Sequence, residues 1–175
     1  MTALAALASF AYIGLGSNLN HPRRHVARAL AEMSRLPRSK LVIASPNYVS
    51  APVGCAEPQP DYVNAVALLR TRLPPRSLLA RLHAIERRHR RDQAARATRN
   101  APRTLDLDLL LYGRRRLRQR DLALPHPRMH QRAFVLRPLL DIAPDARVPG
   151  HGAVRPLLRA VRDQRLRPTR RHAWR

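Results

Sequence analysis

Ser9 to Leu15, SFAYIGL, carries no charge and closes on Gly16-Ser17-Asn18, which reads as a strand ending in a turn. The period then changes. From Pro22 the apolar residues Val26, Ala29, Leu30 and Met33 recur at helical spacing, stopping near Pro37. Lys40 to Tyr48 and Tyr62 to Leu73 read as strands, and SAPVGCAEPQPD between them, rich in Pro and Gly, as a loop. Pro75 to Arg88 is a second helix, with Leu78, Leu79, Leu82 and Ile85 on one face. A basic, Ala-rich loop, RRDQAARATRNAPR, leads into a fourth strand, Thr104 to Tyr112. Strand, helix, strand, strand, helix, strand is the ferredoxin-like βαββαβ order, an α+β fold with an antiparallel sheet flanked by helices. After it come a basic hairpin-like piece, GRRRLRQRDLALPHPRM, and a short helix in RAFVLRPLLDIAP. The Pro- and Arg-rich remainder has one weak helical patch near Leu157. The 175 residues fit one domain, with a core over about 9–145 and a basic C-terminal extension over 146–175.

Charge alters this picture. The chain has 34 Lys and Arg against 11 Asp and Glu, a formal net charge of +23, and Lys40 is its single lysine. Two readings stand side by side: arginines filling ordinary solvated positions, or a polyanionic partner such as nucleic acid or a small polyphosphate. Cys55 is the sole cysteine, which leaves no disulfide framework and no zinc site of the usual spacing, and a reducing, cytoplasmic setting is expected. The apolar start, MTALAALASF, lacks a basic n-region and runs into a strand, so it is read as neither signal peptide nor membrane span.

The fourth strand contains the candidate chemistry. Asp106 and Asp108 lie two residues apart, so both carboxylates share a face while Leu105, Leu107 and Leu109 take the other. Their Cα atoms stand roughly 6.6 Å apart at the ~3.3 Å rise of a strand. From there the side chains can converge on two divalent ions about 3.5–4 Å apart. Magnesium suits such oxygen donors together with water and substrate phosphates. The alternative is a solvated pair on an exposed face, matched by nearby arginines. Arg103, at the strand's mouth, and Arg91, just after the second helix, supply the guanidinium forks that hold polyphosphates. No GxxxxGK[ST] loop or kinase Gly-rich loop is present, so a bound nucleotide would rest on metals and arginines.

AYIGLGSN, SAPVG, PDYVNA, PRTLDLDLLLYG and LPHPRMHQRAFVLRPLLDIAPD follow one another in this order. Together, from about Ala11 to Asp145, they resemble the 6-hydroxymethyl-7,8-dihydropterin pyrophosphokinases of folate biosynthesis. That resemblance implies pyrophosphate transfer from ATP to the pterin hydroxymethyl group, with release of AMP. It implies two Mg²⁺ ions on Asp106 and Asp108, bridging the ATP phosphates, and phosphate contacts from Arg91 and Arg103. His126 would meet the triphosphate near the leaving group. Glu86, Arg132 and the strand around Leu109 would complete the nucleotide side. Ser50, Val53, Tyr62 and Asn64 would line the pterin pocket, and Phe134 would stack on the ring. The chain departs from the family pattern at Arg90, where a glycine is common, at Asn100, where a tryptophan is, and at Asp121, where an arginine often lies near the adenosine. No specific nucleic acid or membrane partner is expected, and the chain is expected to act as a monomer.

Two rivals use related parts. A palm-like nucleotidyltransferase also pairs aspartates over two metals but releases pyrophosphate. An RNA-binding module on this fold stacks bases on strand aromatics. Here only two Phe and four Tyr occur, with strand centres that are aliphatic, and acids on the binding strand would repel phosphate.

Overall fold

A computed structural model describes residues 7–52, 58–89 and 102–169. Val53, Arg91 and Asn100 lie outside the described residues. The elements run β1 (Ser9–Ser17), α1 (Pro22–Ser34), β2 (Ser39–Ala44), β3 (Tyr48–Ser50), β4 (Tyr62–Thr71), α2 (Pro75–Arg88), β5 (Asp106–Tyr112), β6 (Leu117–Arg118), β7 (Ala123–Leu124), α3 (Ala133–Ile142), β8 (Arg147–Val148), β9 (Gly152–Ala153), α4 (Val154–Ala160) and β10 (Leu166–Pro168). The main sheet is ordered β10-β3-β4-β1-β5, with β2 also on β4. All its pairings are antiparallel. Helices α1 and α2 cross the same face, as the ferredoxin-like order requires. Their Val26, Leu30, Met33, Leu78, Leu82 and Ile85 share one buried cluster with Ile13, Leu15, Leu107 and Leu109 of the sheet. Each fully buried Leu or Ile there contributes roughly 1.5–3 kcal/mol.

Two features depart from the simple pattern. The expected strand Lys40–Tyr48 is two strands, β2 and β3, both laid on β4. The break is at Ser45-Pro46, where Ser45 N–H donates to Val66 O at 2.9 Å and Val66 N–H to Ser45 Oγ at 3.0 Å. The hydroxyl replaces the main-chain acceptor where proline interrupts the strand. Second, residues 146–169 are built into the fold rather than appended to it. Val148 and Val154 sit in a second buried cluster with Val66, Leu110, Leu111, Val135, Leu136 and Leu139 on the other face of the sheet. β10 then pairs with β3.

A polar knot ties α1 to α2. Glu32 accepts from Arg28 Nε at 3.1 Å and Arg88 Nε at 2.7 Å, and its Oε1 lies 3.0 Å from His89 Nε2. His89 Nδ1 lies 2.8 Å from His25 Nδ1. A carboxylate only accepts, so neutral His89 carries its proton on Nε2 and its bare Nδ1 accepts a hydrogen bond from His25 Nδ1–H. Burial lowers both imidazoles below their ordinary value. Burial opposes the Glu32 charge, but the hydrogen bonds from Arg88 and His89 prevail and hold that carboxyl low. All three groups bind protons more readily in the unfolded chain, so stability falls with pH: below about 6.5 for the histidines, then below about 4.5 for Glu32. The knot's own contribution to the melting temperature is therefore expected to drop between pH 7 and pH 5, seen as the difference in pH slope between the wild type and His89→Gln. Calorimetric melts of both proteins across this range check it. Each 1 kcal/mol corresponds to about 2–4 °C in a chain of this size.

Candidate active site

The site starts with a row across three strands. Asn64 on β4 pairs with Gly16 on β1, and Gly16 pairs with Asp106 on β5. Opposed residues share a face, so the Asn64 amide and the Asp106 carboxylate stand on one side of the sheet, about two strand spacings or roughly 10 Å apart. Glycine keeps the floor between them open: a Cβ at Gly16 would lie 3.5 Å from Asn64 Oδ1 and 3.9 Å from the Asp106 Cβ. Asp108 stands one pleat further along, opposite Gly14.

On the pterin side expected from the resemblance, Asn64 is buried and its Nδ2 donates to Ser50 Oγ at 2.9 Å. Tyr62 faces Ser50 across the β3–β4 ladder, and its hydroxyl donates to Gln59 Oε1 at 2.9 Å. These three residues are thus brought together. Phe134 lies in the first turn of α3, packed against the second cluster on the same sheet face as Asn64 and Val66, with the Arg132 guanidinium 5.4 Å from its ring centre.

On the acidic side, Arg103 Nη1 donates to Asp106 Oδ2 at 2.6 Å. His126 Nε2 stands 3.8 Å and Arg132 Nη1 4.0 Å from Asp108 Oδ2. His126 is anchored by its own N–H to Leu110 O at 2.8 Å and follows a cis Leu124–Pro125 bond. Burial, then the charges of Arg132 and Arg128, push its imidazole down to about 4, so it is neutral at pH 7. Burial and the Asp106 charge push the Asp108 carboxyl up to about 7, with Arg132 and Arg103 opposing. A carboxylate this disfavoured beside a second acid is a place where a cation is electrostatically wanted. Among the described residues no three His, Cys, Asp or Glu side chains converge as a cage. Two carboxylates completed by water and phosphate oxygens are nonetheless the usual way magnesium is held, so the donor set fits that ion.

Two residues assigned to the nucleotide side by resemblance lie on the helix side of β5. The Leu109 side chain is buried in the helix-side cluster, on the face away from Asp108. Glu86 is buried beneath β5, and its Oε1 accepts the Leu107 N–H at 2.9 Å. The cause is topological. β5 is an edge of the sheet, so its outward N–H groups lack a strand partner, and Glu86 supplies one from α2. Sequence reading also passed over Ser17 and Asn18 except as a turn. Both are buried, and both grip the strand's mouth: Ser17 Oγ donates to Thr104 O at 2.6 Å and Asn18 Oδ1 accepts the Arg103 N–H at 2.8 Å. Their polar side chains, directly after an uncharged strand, were the available signal.

The family model for 7,8-dihydro-6-hydroxymethylpterin-pyrophosphokinase (HPPK) matches residues 12–144. The chain belongs to this family. It is 50% identical over 138 residues to the 2-amino-4-hydroxy-6-hydroxymethyldihydropteridine pyrophosphokinase of Pseudomonas aeruginosa, covering 79% of this chain and 83% of that one. To the Haemophilus influenzae protein of the same name it is 43% identical over 156 residues, covering 89% and 95%. Among solved structures, wild-type Plasmodium falciparum HPPK-DHPS with pteroate superposes with a TM-score of 0.71 at 11% identity, over 91% of this chain and 43% of that one. This likeness is one of fold, and the chain spans less than half of that longer protein. No described helix is long and apolar enough to cross a membrane.

Proposed function

We propose that this chain transfers pyrophosphate from ATP to 6-hydroxymethyl-7,8-dihydropterin, yielding AMP and the pterin diphosphate in folate biosynthesis. The observation that carries this reading is the Asn64–Gly16–Asp106 row, an amide suited to a pterin edge and a carboxylate suited to a metal on one floor. The pterin hydroxyl oxygen bonds to the β-phosphorus and the bond from that phosphorus to the α,β-bridging oxygen breaks. AMP leaves with the bond's electron pair, and the hydroxyl proton is released.

Asp106 and Asp108 would hold Mg²⁺, two ions in this reading, which when bound neutralise phosphate charge and act as Lewis acids. Arg103 lies beside Asp106, poised to turn its fork to a phosphate. Neutral His126 can donate one hydrogen bond to a phosphate oxygen without adding charge. Arg132 contributes positive charge on the Asp108 side. Ser50, Tyr62, Asn64 and Phe134 would bind and orient the pterin, with Val53 and Arg91 completing the assignment by resemblance. We further read the chain as a cytoplasmic monomer with no specific nucleic-acid partner.

Incubation with ATP, Mg²⁺ and the pterin, followed by chromatography, tests the reading. AMP and pterin diphosphate in equal amounts are expected. Release of pyrophosphate would indicate a nucleotidyltransferase, and absence of turnover a binding module.

A further inference from the structure

Asn18 stands at the junction of three segments. It directly follows β1, touches residue 103 just before β5, and reaches the segment leading into β4. Its side chain is buried, and its amide is bonded on both sides. Oδ1 accepts the Arg103 N–H at 2.8 Å. Nδ2 donates to Gln59 Oε1 at 3.0 Å and to Pro60 O at 3.1 Å. Its main-chain N–H also donates to Arg103 O at 3.1 Å. The orientation of the amide follows from its partners. An N–H can only donate and a carbonyl can only accept, so a flipped amide would fail against both Arg103 and Pro60.

Both main-chain polar groups of Arg103 are therefore held by one residue, which sets where its side chain starts toward Asp106. The other end of the same amide holds Gln59, and Gln59 Oε1 in turn accepts the Tyr62 hydroxyl at 2.9 Å. One buried side chain thus joins the position of a phosphate-side arginine to that of a pterin-side tyrosine.

We propose that Asn18 is a positioning residue that fixes the nucleotide half of the site through one end of its amide and the pterin half through the other. Its assignment to those halves rests on the pyrophosphokinase reading above. It touches neither substrate and acts through Arg103 on one side and through Gln59 and Tyr62 on the other. A buried amide serves here better than a hydroxyl or a carboxylate, because only an amide offers an acceptor to one segment and two donors to the other.

The two directions can be cut separately. Asn18→Asp keeps an acceptor for the Arg103 N–H but turns lone pairs on Pro60 O and Gln59 Oε1, so the pterin side should loosen alone. Gln59→Ala loosens the same side without adding a charge. Hydrogen exchange on the ligand-free proteins reads this independently of any activity. Both variants are expected to raise exchange at residues 58–62 while leaving 102–107 at wild-type protection. Calorimetric binding should then show pterin affinity reduced at least about tenfold, the scale of a lost buried hydrogen bond. Affinity for a non-hydrolysable ATP analogue with Mg²⁺ should change less than about threefold on the same scale. Asn18→Ala, which cuts both directions, should raise exchange in both segments and lower kcat as well as pterin affinity. Exchange that rises in both segments, or in neither, for Asn18→Asp and Gln59→Ala overturns this two-ended positioning. Wild-type protein that makes no AMP while the exchange pattern holds overturns the functional reading and leaves the clamp standing.

Discussion

Asp106→Ala and Asp108→Ala will each lower turnover by at least ~10³-fold, the scale of losing a group that stabilises charge in a phosphoryl-type transition state. The fold should survive both changes. Both side chains lie on the open face of β5, while Leu107 and Leu109 hold the strand in the core from the other face. The asparagine variants separate charge from shape. They keep the volume and one acceptor oxygen but remove the hard anionic donor that Mg²⁺ prefers, so they should fall nearly as far.

The two positions differ in stability. Asp106 is paired with Arg103, whereas the Asp108 charge is opposed by burial and by Asp106. The folded carboxyl of Asp108 lies above its unfolded value, so its contribution worsens as pH rises from about 4 through about 7. Asp108→Asn should accordingly melt above the wild type at pH 8 in chelator while being catalytically dead. Asp106→Asn should not melt above it. Steady-state rates across a Mg²⁺ titration, with melts in chelator, check both halves. Activity largely kept by either alanine variant at saturating Mg²⁺ would refute the metal assignment.

Arg103→Ala is expected to cut kcat by at least ~10²-fold with a much smaller effect on ATP affinity, a floor set about tenfold under the ~10³ lower bound for a transition-state arginine. Arg103 is preorganised. Asn18 holds its backbone at both polar atoms, and its guanidinium already points along β5 at Asp106. An interaction that strengthens as charge moves toward the leaving phosphate appears in kcat, whereas one made equally throughout appears in KM. Arg103→Lys should not restore the rate, because an ammonium is a point charge and cannot present two parallel donors. Arg91→Ala is expected to act on the same scale. ATP-analogue binding and single-turnover rates decide the matter: loss confined to affinity would make these arginines binding groups alone.

Much of this was legible from local pattern. The i, i+3, i+4 spacing of Val26, Ala29, Leu30 and Met33 located α1. Strict alternation of Asp and Leu from Asp106 to Leu109 told which face of β5 would meet solvent. Alternation failed at Leu110 and Leu111, which both face the second cluster, because a bulge between β1 and β5 shifts the register there. Neither strand shows that bulge alone. The same limit hid β10. Leu166-Arg167-Pro168 has no strand signature, and its pairing depends on where β3, more than a hundred residues earlier, leaves an edge. Glu86 makes a contact that its own segment does not show. Charge on a helix suggests a ligand or a solvated face, and only the topology reveals that the edge N–H of Leu107 needed an acceptor.

The position of β10 gives the basic end of the chain another meaning. A sheet edge with free N–H and C=O groups is a template on which a second chain can add, and growth of that kind ends in aggregation. Here the outermost strand on that side carries Pro168, which has no N–H to offer, and Arg167, 3.6 Å from Asp61, with Arg165 just before it. Proline and fixed positive charge are the usual means of blocking such addition. The opposite edge is blunted from within, by Glu86 occupying the Leu107 N–H. Arg167 and Pro168 thus make this edge a poor template for a second strand, a use for part of the net charge that requires no polyanion.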